Sequence, residues 1–121
     1  MKIELDLSRI EAIARDAQFV TAQAIHSQSL DVIRRPGAFP DYPPADRDIV
    51  DIGLLRDMTR PPVRQSPETV AIETDAPYAI YVYLGYGTTT GGEVPPRPWF
   101  QKAAEEIGVE ETFADSFRGL L

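Results

Sequence analysis

Ser8-Arg-Ile-Glu-Ala-Ile-Ala-Arg-Asp-Ala-Gln-Phe-Val-Thr-Ala-Gln-Ala-Ile25 is the stretch that decides the fold. Ile10, Ile13, Ala17, Val20 and Ala24 recur at the three- and four-residue steps of one helix face. Ala14, Phe19 and Ile25 flank that stripe. Ser8 and Glu11 form a Ser-x-x-Glu capping box, in which each side chain serves an orphan amide of the first turn. Neither glycine nor proline interrupts before Pro36, so the spacing predicts a helix over residues 9–33. Its alanines permit close approach to a sheet or a second helix, and a core-facing helix is the expectation.

Working outward, residues 2–7 alternate Lys-Ile-Glu-Leu-Asp-Leu, which predicts a short strand. After the helix, residues 34–48 hold five prolines or glycines, too many for regular structure. Such a stretch reads as a long loop, with Phe39 and Tyr42 as anchors on a partner or on the domain itself. Asp51 caps a short expected helix from Ile52 to Met58. Residues 59–66 are proline-broken and suit an edge strand. Residues 69–74 have strand propensity, and Ser66-Pro67-Glu68 supplies a turn that makes the two a hairpin. Residues 77–84 fit a strand by content. Asp75 as cap, Pro77 and the closing Gly85 favour a short helix, and helix is the expectation. Residues 85–96 read as a glycine- and threonine-rich loop. A helix then starts at Pro98 and ends at Gly108. Phe113, Phe117 and Leu121 follow on an amphipathic terminal segment. The sum is an α+β domain: a long N-terminal helix on a small, mainly antiparallel sheet, with short helices and a C-terminal helix. One domain over residues 1–121 is expected at this length.

The bulk composition narrows function. The formal net charge is −7, and the acids are spread along the chain. That disfavours gripping phosphate backbones or anionic membrane surfaces, which takes clustered lysine and arginine. With no cysteine, disulfides, thiolate metal sites and cysteine nucleophiles are excluded. The start carries acids and lacks a signal-peptide apolar region, so a cytoplasmic product is expected.

Little of the chain carries reactive chemistry. His26 is the sole histidine and sits beside the apolar stripe, a poor metal site or catalytic base. Asp46, Asp48 and Asp51 alternate, but the glycine and final glutamate of a calcium loop are absent. Gly85-Tyr-Gly-Thr88 and the glycines after it lack the Gly-Lys-Thr ending of a phosphate loop. Tyr78, Tyr81, Tyr83 and Tyr86 with Arg97 could stack nucleic-acid bases. Their acidic surroundings favour core packing and protein contact instead. Arg56 and Arg97 are the charged residues most suited to a carboxylate partner. Arg97 has its backbone set by Pro96 and Pro98.

An ordered set remains: Asp51, Gly53, Leu55 and Arg56; Pro77, Tyr78, Ala79 and Val82; Gly85, Gly87 and Thr88; Pro96, Arg97, Pro98 and Phe100, with Trp99 beside them. In order and spacing it resembles a family of long-tailed phage tail-component proteins, also described as tail-completion, head–tail joining or minor tail protein Z-like. The resemblance covers roughly residues 50–105. It implies a small α+β domain without catalytic activity or cofactor. It further implies a homo-oligomeric ring, a hexamer being one candidate size, in the tail or neck of a virion. The implied partners are connector or head-completion proteins and tail-tube or tail-terminator proteins. Family members commonly read Val-Glu-Phe-Gly-Thr where this chain reads Val82-Tyr-Leu-Gly-Tyr-Gly-Thr88, so the acid is missing. Two other classes compete with this expectation. One is an acidic adaptor or inhibitor that masks a basic partner. The other is a small hydrolase using the Asp46–Asp51 acids.

Overall fold

The architecture is seen in a computed structural model, described over residues 1–4, 7–35, 38–39, 54–87 and 91–121. Helix α1 (Leu7–Arg34) leads, followed by α2 (Leu54–Met58). A first hairpin, β1 (Val63–Ser66) and β2 (Thr69–Ala71), precedes helix α3 (Ala79–Leu84). A second, β3 (Tyr86–Gly87) and β4 (Glu93–Val94), precedes α4 (Trp99–Ile107) and α5 (Val109–Leu120). The fold is α+β, as the sequence predicts. Its long helix packs chiefly along α4 and α5 and touches the first hairpin through β2.

Helix α1 is two residues longer at its start than predicted. Ser8 lies inside it rather than capping it. Residues 1–4 form no strand, and Leu7 is already helical, which corrects the strand expected over residues 2–7. The buried face also differs. Ile13 and Ala17 are buried as expected, but Ile10 and Val20 are exposed. The face continues instead through Thr21, Ala22, Ser29, Val32 and Ile33. Two hydroxyls are affordable there because each bonds its own helix. Thr21 Oγ1 donates to the Ala17 carbonyl at 2.8 Å and Ser29 Oγ to the Ile25 carbonyl at 2.7 Å.

The main core lies at the C-terminal half of α1. Val32, Ile33, Ala38, Leu55, Ala76, Ala79, Val82, Trp99 and Ala103 form one buried cluster, with Phe39, Met58, Tyr78, Tyr83 and Phe100 against it. Phe39 thus docks on its own domain, with Lys102 Nζ 5.7 Å from its ring centre. A polar clamp ties α1 to α4. Arg35 donates to both oxygens of Glu106 at 2.8 Å, and Gln28 Nε2 donates to Oε1 at 3.0 Å.

The first hairpin is antiparallel, Val63 opposite Ala71 and Arg64 opposite Val70, with an irregularity before Ser66. Pro67 and Glu68 make its turn, as expected. Side chains from both partners fasten it to α1. Gln18 Nε2 donates to the Glu68 carbonyl at 2.8 Å, and Arg64 Nη2 donates to the Arg15 carbonyl at 2.8 Å. The second hairpin corrects the loop expected over residues 85–96, since Tyr86 pairs with Val94 and Gly87 with Glu93. Most of the proline-rich stretch expected as a loop over residues 34–48, Tyr42 included, lies outside the described residues.

Candidate protein-contact surface

Of residues 77–84, Ala79–Leu84 settle as helix after a turn at 77–78, and the reason is at their ends. Gly85 closes α3 with φ 76° and ψ 166°, a combination essentially closed to side-chain-bearing residues. The N-cap is Tyr78 rather than the expected Asp75. Asp75 instead pairs with Arg60 at 3.1 Å, and its amide donates to the Met58 carbonyl at 3.1 Å. Both contacts join α3's approach to the end of α2.

Most of the motif residues gather around this helix. Leu55 is wholly buried, and Tyr78 packs on the same cluster. Burial pushes the Tyr78 hydroxyl's pKa up, with the adjacent Leu55 backbone opposing. Trp99 is 1% exposed, its ring edge-on to Tyr83 at 4.8 Å between centres. Phe100 completes the triangle, 5.7 Å from Trp99 and 6.1 Å from Tyr83. The Tyr83 hydroxyl accepts from the Gln101 amide at 3.2 Å, which ties α3 to the first turn of α4.

Arg97, expected to suit a carboxylate partner, is buried. Its amide donates to the Val82 carbonyl at 3.0 Å, and its carbonyl accepts from the Trp99 amide at 2.9 Å. The Pro96-Arg97-Pro98 stretch is therefore a brace between α3 and α4, and Pro98 is the N-cap of α4. Arg56 pairs locally with Asp57 at 3.3 Å. Gly87 lies in β3. Asp51, Gly53 and Thr88 lie outside the described residues, as do Asp46 and Asp48. His26 stays within α1, its Nε2 buried and without a hydrogen-bond partner among the described residues. Among the described residues no group of three or more His, Cys, Asp or Glu could hold a metal ion. No helix among them is long and apolar enough to cross a membrane.

Sequence reasoning missed the outer side of α3. Ala79 and Val82 face the core, whereas Ile80, Tyr81 and Leu84 are each more than 60% exposed. A shallow apolar groove of about 460 Å³ runs alongside, lined by Pro77, Ile80, Leu84, Trp99 and Phe100 among others. The signal was in the sequence: Ala-Ile-Tyr-Val-Tyr-Leu is apolar all round. A helix of that kind must be covered on every side. The described residues cover one side only. A cluster of large apolar side chains left to water is a candidate contact surface.

No family model, no curated protein and no solved structure matches this chain. The likeness to phage tail components therefore stands on the ordered residues themselves.

Proposed function

We propose that this protein is a virion structural protein, assembling as an oligomeric ring at the phage head–tail junction or tail terminus. The observation that supports this reading is the uncovered face of α3. Its other side is built from residues that carry the resemblance. Tyr78, Ala79, Val82, Trp99 and Phe100 share one buried cluster, Gly85 closes the short helix, and the Arg97 amide bonds the Val82 carbonyl. Ile80, Tyr81 and Leu84 are then presented on backbone already in helix, so contact costs their side-chain freedom but not the ordering of a loop. The role is assembly by surface complementarity, with no reaction performed. An acidic surface of net charge −7 keeps free copies soluble before assembly.

Native mass spectrometry of the full chain, alone and mixed with tail-tube and connector proteins, tests this. Ring-sized species or complexes with those proteins are expected, and Leu84→Glu is expected to weaken them at least tenfold. Leu84 is 67% exposed, so the substitution leaves the fold intact. A strict monomer that binds neither protein would overturn the reading. A monomer that captures a basic protein instead would point to the adaptor alternative.

A further inference from the structure

The apolar surface beside α3 does not end with that helix. A second groove, of about 610 Å³, lies between α1, β2 and the start of α5, with Ile25, Val109 and Phe113 among its lining. Two features join it to the groove beside α3. Phe100 lines both. Val70 and Ile72 line the second groove and Thr74 the first. These alternate residues share one side of a stretch whose pairing with the preceding strand runs on to the Thr59–Thr74 bridge. The α3 ridge and the second groove therefore share one face, on either side of Phe100.

The two halves of that face differ in relief. On one side of Phe100, Ile80 and Leu84 stand out from α3, each more than 60% exposed. On the other is a hollow, whose α1 wall carries the small, buried Thr21 and Ala22. The ridge cannot fill its own hollow. The bond from the Arg97 amide to the Val82 carbonyl and the packing of Tyr83 on Trp99 hold α3 where it is. A half-turn about an axis through Phe100 exchanges the two halves, laying the ridge of each copy over the hollow of its mate. A face of that relief is self-complementary, as the isologous contact of a twofold dimer requires. Charge selects the same face. Copies of net charge −7 repel one another, yet Glu110 is the only charged residue among the described lining of the two grooves. Two acidic copies meet there with little charge to oppose them at the contact itself.

We propose that two copies pair through this face about a twofold axis near Phe100, the α3 ridge of each seated in the α1–β2–α5 groove of the other. Both halves are then used up, so the contact closes at two copies. The proposal rests on the ring reading only for what the pairs build, and a ring made of such pairs holds an even number of copies.

The chain lacks cysteine, so engineered pairs report cleanly. Leu84→Cys, on the ridge, and Val109→Cys, in the groove, are placed in one chain, which is oxidised mildly and weighed. The expected product is a dimer closed by two disulfides, with no longer species. Ile72→Cys, on the facing wall, replaces Val109→Cys if circular dichroism shows that variant unfolded. In the cysteine-free chain, Leu84→Glu and Val109→Glu should each weaken self-association at least tenfold in sedimentation equilibrium. Ladders of three or more copies from the double variant would overturn the twofold pairing, because they require a head-to-tail contact. So would an intramolecular bond, or no bond at all. Closed dimers without binding of tail or connector proteins keep the pair and remove the virion role. Binding of those proteins by a chain that gives ladders or no bond does the reverse.

Discussion

Glu106 shows how one residue on a half-exposed surface can be held tightly. The Arg35 guanidinium, donating to both oxygens, holds its carboxyl down at about 2, with Gln28 adding to that pull against the opposing effect of burial. Arg35 is raised in return, chiefly by Glu106 and then by Asp31. Because the folded pKa lies below the unfolded one, the pair's stabilisation is complete above about 4.5 and is lost as pH falls towards about 2. Both side chains keep partial solvent contact, so the contribution is on the order of 1 kcal/mol. Glu106→Gln should cost about that much at neutral pH and flatten the acid limb of the stability profile. Urea unfolding of both chains across that window, followed by the fluorescence of Trp99, checks it. A parallel acid limb in the variant would show that other carboxylates govern it.

At the scale of elements, the joint between α4 and α5 is the cleanest case of sequence dictating backbone. Gly108 has φ 68° and ψ 85°, and its amide donates to the Ala104 carbonyl at 3.2 Å while its carbonyl accepts from Thr112. A Cβ there would meet only Glu111 side-chain atoms at ordinary distances of 3.7 Å and beyond. Gly108→Ala should therefore destabilise through conformation alone, by about 1–2 kcal/mol. Thermal unfolding would show a lower Tm with an unchanged far-ultraviolet spectrum. A loss much larger than this would mean that α5 undocks from α1. Gly108 was legible for the same reason as Gly85: a backbone that only glycine takes easily is written as a letter. The hairpin turn at Pro67 was legible likewise. The register of α1's buried face was not. Thr21 and Ser29 read as polar, and only the helix carbonyls beside them make their burial cheap. The β3–β4 pairing was hidden too, because two-residue strands among glycines carry no alternation to read. The α3 helix was expected from its ends, yet its outer face was missed, because Tyr78 to Leu84 gives no polar residue to mark a wet side.

For the whole molecule, charge and apolar surface pull in opposite directions. Copies of net charge −7 repel one another, whereas the α3 face gains by leaving water. Salt acts on the two unequally. Raising it from about 0.1 M to about 1 M shortens the screening length from about 10 Å to about 3 Å. Repulsion between subunits is then largely removed, and apolar burial is left intact. Repulsion spread over the whole acidic surface is what salt removes, so self-association should strengthen with salt. Sedimentation equilibrium of the full chain over that range measures it. The expected outcome is a dissociation constant that falls steadily as salt rises. A constant that rises with salt would mean that ion pairing dominates the contact, and the assignment of Ile80, Tyr81 and Leu84 as its driving surface would fail.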